Sequence, residues 1–487
     1  MPQIRTKDEL LRAQWAVKYQ SVAEGKQYTT DADGNGENSP FPIHEYFKNQ
    51  LLGKKVKMLE LNAGHALVEQ MTADTMTDMK VEIDGGAVEQ DVMDWLEEID
   101  YYSILEEAVR DYFGTGYAVQ QPYRLEDESV TVANIDPSTW YPVMPTFLYQ
   151  NVSEARIITP FDEGKAGAHK WYALVERHTI GKISYELYTL ENANSLEGTL
   201  VDISNVDRLA DLKDVETGLD SLAVFQMDRQ RGSSMIFGKS VLSPIWDPLQ
   251  EVSEIQTQIR QERIKHFKAK LAAPILSLQR AENVNPDSHN TQLNSKQLAR
   301  AQGAYFDVNQ EIFPIPAGST IAPHYIQRDL QSIVLGSNEI DKILGRIASI
   351  VGCPRSIFNL DEKGAVHVDT EKRKDRRYIR QILQAQKKAA WMAKQAIMTR
   401  GNWIDKPIEN VKIKFSSPFD LSQEEVVTLM REMNASADFV SQEEALRHVW
   451  PEKTPDERDA MLQEIKDEAQ AAVPANSVFN KPQPLQL

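Results

Sequence analysis

Cysteine is almost missing from this chain: Cys353 stands alone in 487 residues. No intrachain disulfide can form, so stability must come from packing and from association. Its context, VGCPRS, places no histidine or aspartate where it would make the thiol a nucleophile, and a small buried thiol is expected. Long apolar runs are missing as well. AAWMA and IASIVG fall far short of the roughly 20 residues that cross a bilayer, so no membrane partner is expected. The start, MPQIRTKDELL, is polar and helix-forming, unlike a secretory leader, and a cytoplasmic or virion-internal setting is expected. The histidines are scattered, with no HExxH, CxxC or calcium-loop spacing, so neither a metal nor a cofactor is expected. No pair of carboxylates is marked off in an apolar context, and the expected role is non-enzymatic.

Positive charge is scarce. Lysine and arginine number 54 against 72 aspartates and glutamates, giving a net charge of −18 and a pI near 5.1. That balance argues against a protein that grips nucleic acid tightly. The cations are nonetheless clustered in residues 260–270 and 372–380, while acids concentrate before residue 130 and after Glu424. Such segregation suits a surface along which a polyanion slides past acidic walls. The length predicts two to four structural units.

Periodicity supplies the elements. ELLRAQWAVKYQSV predicts a helix within residues 1–60, followed by the turn-rich TTDADGNGENSP. Residues 62–119 read as mostly helical, stopping at Gly114 and Gly116. Short runs from YAVQQPYR to KISYELYTL predict a β-rich part over about 117–227. Ile245, Leu249, Val252, Ile255 and Ile259 recur in steps of three and four, a pattern that continues through Ile264, Phe267 and Leu271 until Pro274 ends it. Ile326, Leu330, Ile333, Ile340, Leu344, Ile347 and Val351 predict a second helix of similar length, with a mixed insert between the two. Two comparable helices around a compact insert make a stalk with a tip. Gly352, Pro354 and Gly364 then break the chain before a strongly basic helix whose apolar face is expected at Ile379, Ile382, Leu383, Ala390 and Met398. VKIKFSSPFD reads as a strand, Ser422 to Ala472 as two acidic helices, and VPANSVFNKPQPLQL as a flexible tail. The expected fold class is α+β, predominantly helical.

Four stretches, in their order along the chain, carry a family resemblance. They are GTGYAV with NIDPSTWYPV, MIFGKSVLSPIWDPLQEVSEIQTQI, IASIVGCPRSIF, and DFVSQEEALRHVWPEKTPDERDAMLQEIKDEAQ. The chain resembles the portal proteins of tailed bacteriophages, over roughly residues 60–470. The resemblance implies a portal fold with wing, stem, clip and crown regions, assembling into a ring, typically of twelve subunits, at one capsid vertex. It places the wing at 61–240, the first stem helix at 241–272, the clip at 273–325 and the second stem helix at 326–352. A tunnel loop follows at 353–368, then a basic helix returning to the wing at 369–420, wing and crown helices at 421–472, and the tail at 473–487. Residues 1–60 are an N-terminal extension that the resemblance does not place. The implied partners are viral dsDNA in the channel, the terminase large subunit, head-completion or tail adaptor proteins, the major capsid protein and scaffolding protein. The implied location is the virion, with the host cytoplasm as the site of assembly.

Carried onto this sequence, the tunnel-loop position makes Lys363, Arg355 and His367 candidates for contact with DNA. Lys296, Arg300, Tyr305 and Phe306 are candidates for docking through the clip. Arg260, Arg263, Lys265, Lys268 and Lys270 form a basic run on the first stem helix, which can be a solvated face, pair with acids of a neighbouring subunit, or face passing phosphates. Pairing between subunits is the favoured reading. The run Lys372, Arg373, Lys374, Arg376, Arg377 and Arg380 covers several sides of its helix, so part of it must meet acids elsewhere. RGSSMIFGKS looks like a phosphate-binding loop, but five residues separate Gly232 from Gly238 where that motif needs four, and Pro244 and Pro248 follow. A turn that launches the stem is the preferred reading. Two alternatives stay open: another virion component, such as a head-completion adaptor or minor capsid protein, and an ATP-dependent DNA-packaging enzyme.

Overall fold

The N-terminal segment is part of the main body. In a computed structural model of the chain, helix α1 (Lys7–Ala23) starts with a reciprocal cap: the Glu9 amide donates to Thr6 Oγ1 at 3.2 Å, and the Thr6 amide to Glu9 Oε2 at 2.7 Å. Ile4 and Ala13 pack with Tyr141, Ile158 and Val175. Arg12 lies over the rings of Tyr141 and Phe237, 5.0 and 4.3 Å from their centroids, and donates to the carbonyl of Trp140. The structure describes residues 2–28, 40–41, 58–59, 61–83, 86–125, 128–143, 152, 154–164, 169–231, 236–267, 271–274, 312–315, 324–325, 331–360, 368–408 and 410–416. All of them fall within the first of two units, residues 1–416. The helices expected over 421–472 and the tail at 473–487 lie outside the described residues.

After α1 come α2 (Ala63–Thr75), β1 (Met79–Glu82), α3 (Gly86–Glu98) and α4 (Tyr101–Gly114). Gly116, at φ +97°, turns the chain into β2 (Tyr117–Arg124), a conformation that L side chains rarely adopt. The β-rich part then contains β3 (Val130–Ile135), β4 (Trp140–Val143), β5 (Glu154–Asp162), β6 (Trp171–Thr179), β7 (Lys182–Leu190), β8 (Thr199–Val201), β9 (Val215–Glu216) and β10 (Phe225–Asp228). Two antiparallel sheets form: one in the order β4-β5-β6-β7-β8 with β9 added to β7, the other β10-β2-β3. Between them Tyr117, Val119, Ile135, Trp140, Ala155, Ile157 and Val224 make a continuous apolar cluster. Helix exceeds strand among the described residues, so the class is mixed with helix leading.

A helical hairpin leaves this body. Helix α5 (Trp246–Phe267) is about 33 Å long at 1.5 Å per residue, and α6 (Gln331–Val351) returns beside it. Glu251 pairs with Arg346 at 3.1 Å, and Gly336 lies so close to Ile259 that an added Cβ would stand 2.9 Å from its side chain. These pairings share one antiparallel register, which continues into a small sheet. There β11 (Leu271–Pro274) pairs antiparallel with β13 (His324–Tyr325), Leu271 opposite Tyr325, and parallel with β12 (Ile312–Ile315). Leu271, expected in the first helix, is therefore in a strand. Residues 271–274 are a strand because their backbone finds a ladder on both sides.

The return to the body is made by α7 (Val368–Trp403) and β14 (Lys412–Phe415), which pairs antiparallel with β1. The buried face of α7 is rotated from the expected one: it runs through Tyr378, Ile382, Ala385, Ala389, Met392 and Ala396, while Leu383 is 39% exposed. Four of the small residues on the helix, Ala385, Ala389, Ala393 and Ala396, are buried, and their size lets it approach the body closely. A periodicity count weighted toward bulky side chains selects the neighbouring stripe.

Candidate functional site

The exit of the body into the hairpin is a knot of backbone and one buried cation. The Arg229 amide donates to the Gly116 carbonyl at 2.8 Å, and the Lys239 amide to the Arg229 carbonyl at 2.8 Å. Ser240 Oγ donates to the Gly114 carbonyl at 2.5 Å, and the Val241 amide to that of Phe113 at 3.0 Å. Gly238 sits inside this ladder, where a Cβ would lie 2.1 Å from the Gly116 oxygen. The amides of Lys239 and Val241 are thus engaged with carbonyls and are not free to wrap a phosphate, which is what a phosphate loop requires. The end of RGSSMIFGKS is thus tied to the body, while residues 232–235 lie outside the described residues.

Arg229 extends the knot to the two helices that follow the hairpin insert. Its Nη1 donates to the Lys239 carbonyl at 2.8 Å and its Nη2 to Gln381 Oε1 at 2.7 Å. Gln381 Nε2 in turn donates to the Val351 carbonyl at 3.0 Å, in the last turn of α6. Burial pulls the Arg229 guanidinium down to about 10, still protonated at neutral pH. One cation therefore joins β10, the entry to α5, the end of α6 and α7. Sequence reasoning missed Arg229, since a single arginine in DRQRG has no periodic partner. The paired glycines Gly116 and Gly238 were the available signal.

Helix α6 ends in a left-handed glycine. Gly352 has φ +79°, and the amides of Gly352 and Cys353 both donate to the Ala348 carbonyl, at 2.8 and 3.0 Å. Cys353 is buried, in keeping with a packing role. Arg355 follows in a short 3-10 turn and folds back on α6: a Cβ on Gly345 would be 2.7 Å from its Nη2. Its Nε is buried without a hydrogen-bond partner among the described residues.

The other candidates fall in two groups. Arg260 and Arg263 are exposed on the far half of α5 and form no ion pair among the described residues. Lys265 belongs to α5, with its side chain outside the described residues. Lys268, Lys270, Lys363, His367, Lys296, Arg300, Tyr305 and Phe306 all lie outside the described residues. Arg260 and Arg355 are not brought together. In the hairpin register Arg260 lies near Gly336 and the Arg355 guanidinium near Gly345, so the two are separated by roughly 14 Å of helix.

No protein-family model matches this chain, and no curated protein is significantly similar to it. What can be said of its role rests on its own geometry. Among the described residues no group of three histidine, cysteine, aspartate or glutamate side chains could hold a metal ion, and no helix is long and apolar enough to cross a membrane. An open hollow in the β-rich part is lined by Tyr185, Glu186, Leu200, Asp202, Ser204 and Leu212.

Proposed function

We propose that this chain is the subunit of a portal ring, a conduit for double-stranded DNA at a capsid vertex that also docks a packaging motor and, later, tail components. One observation carries the reading: a long antiparallel helical hairpin, in one register from Glu251–Arg346 out to Leu271–Tyr325, projects from an α+β body and bears a small sheet at its tip. In the ring, α5 and α6 form the stem, the sheet at 271–325 belongs to the clip, and the body is the wing.

Burial along the hairpin supports assembly. Near the body Leu344 and Ile347 are buried, but at the far end Val334 and Leu335 are 58% and 65% exposed. Two helices cannot cover each other on every side, so apolar residues at that end need neighbours, which a ring supplies. The chain's net charge of −18 suits a channel whose walls repel phosphate and keep DNA mobile. It also makes assembly depend on ionic strength or divalent ions. Negative-stain imaging of the purified protein across salt concentrations tests the reading. Rings of about a dozen subunits with an axial hole are expected, whereas monomers or helical tubes under all conditions would remove it.

A further inference from the structure

Two neighbouring parts of the body have opposite and unmixed charge. From residue 376 to residue 404 the sequence has seven cations and no carboxylate, and from residue 86 to residue 109 eight carboxylates and no cation. The first stretch is α7 from Arg376 onward, after the mixed turn that holds Asp369, Glu371 and Asp375, and the second is α3 with α4 as far as Val109, just before Arg110. In α7, Arg376, Arg377, Arg380, Lys387 and Lys388 are exposed and make no ion pair among the described residues. At 100° per residue these five, with Leu383, Gln384 and Trp391, occupy one face about 140° wide, opposite the buried stripe. Leu383 and Trp391, 39% and 42% exposed, place apolar surface among the charges.

The α3–α4 pair offers the complement. Asp91, Asp94, Glu97 and Glu98 share one face of α3. Among the described residues Asp91 is the one of these that meets a cation, Arg400 at 3.0 Å, while Asp94 accepts from the neutral Gln90 at 2.7 Å. Glu97 and Glu98 are exposed and without ion pairs among the described residues.

The two faces do not neutralise each other within one copy. Helix α7 reaches α3 at its C-terminal end, where Arg400 also lies 5.0 Å from the Trp95 ring centroid. The cations without an ion pair among the described residues begin at Lys388, whose charge also acts on buried Asp228, and extend to Arg376, roughly 18 to 36 Å back along the helix from Arg400. We propose that the exposed basic face of α7 docks on the acidic α3 face of a second copy of this chain. Such a contact joins two different patches, so it is heterologous and propagates around a ring. Leu383 and Trp391 would form its apolar centre, and the charges would set orientation and exclude other registers. The proposal rests on the ring reading and adds the surfaces that meet.

Charge exchange tests it. The triple variant Arg380→Glu, Lys387→Glu, Lys388→Glu is expected to raise the concentration for half-assembly at least tenfold by sedimentation velocity. Asp94→Lys, Glu97→Lys, Glu98→Lys should do the same, and the six changes in one chain should restore assembly. Unchanged assembly in either triple variant, or no restoration in the sixfold one, overturns the contact. Loss of DNA retention with assembly intact overturns it too, by assigning the face to nucleic acid. In each of these cases wild-type rings would still stand, so failure of the contact is separable from failure of the ring. Should a triple variant not fold, Lys387→Cys with Glu97→Cys gives a second measurement. Because Cys353 is buried, oxidation is expected to yield a ladder of cross-linked multimers, and its absence counts against the proposal.

Discussion

Arg229 and Arg260 are separated by thirty-one positions along the chain, and their surroundings are opposite. Arg229 is buried, and its guanidinium is held by the Lys239 carbonyl and Gln381. Arg260 is exposed on α5 with no ion-pair partner among the described residues. The guanidinium of Arg229 finds its partners within one chain, while the far end of the hairpin leaves Val334 and Leu335 exposed. A single copy is thus finished at its knot and unfinished along its stem. Mutations at the knot should act on folding, and mutations along the hairpin on association.

The knot should give the largest effect. Gly238→Ala drives a Cβ into the backbone oxygens of Gly116 and Arg229, where nothing flexible can yield. A loss of about 4 kcal/mol or more in urea unfolding is expected. A loss under about 1 kcal/mol would show that the ladder is looser than its geometry and would blunt the contrast with the hairpin.

Asp111 tests the body from another side. Burial raises its carboxyl to about 7, with Gln20 Nε2, 3.4 Å away, opposing the shift. The folded chain holds this proton more tightly than the unfolded chain does. Its effect on stability is therefore most favourable below about pH 4, declines between pH 4 and 7, and is a constant penalty above that range. Asp111→Asn is expected to stabilise the protein by a few kcal/mol at pH 8 and to change little at pH 4. A pH-independent effect in thermal unfolding would remove titration as the cause.

The hairpin should give the smallest change in the isolated chain. Leu335→Ser is expected to alter monomer stability by about 0.5 kcal/mol or less, since the side chain is already largely in solvent. The same change should weaken assembly severalfold in sedimentation. Equal effects on folding and association would mean that the far end of α6 is covered within one copy.

Much of this architecture was legible in the periodicity. The apolar steps from Leu249 to Ile259 and from Ile333 to Val351 lie within α5 and α6, and Ile245 closes the 3-10 turn that leads into α5. Gly114 closes α4, and Gly352 follows α6 in the left-handed conformation that L residues avoid. Other features were not legible. The burial of Ala385 and Ala389 in place of Leu383 depends on how closely the body approaches α7, and a hydrophobicity pattern does not encode that distance. The strand at 271–274 depends on partners at 312 and 324, so local propensity let the helix run on. The docking of α1 depends on Arg12 meeting aromatic rings at 141 and 237.

By itself the sequence determined what acts locally. It set where helices start and stop, which segments alternate as strands, the absence of any disulfide, and the separation of acidic from basic stretches. These follow from backbone preferences and from charge, which need no distant neighbour. Tertiary structure decided which side of α7 is buried, why Arg229 can remain charged in the interior, and which cations stay unpaired on the surface. Each of those depends on groups more than a hundred residues apart being brought within hydrogen-bonding or packing distance, and only the folded chain supplies that proximity.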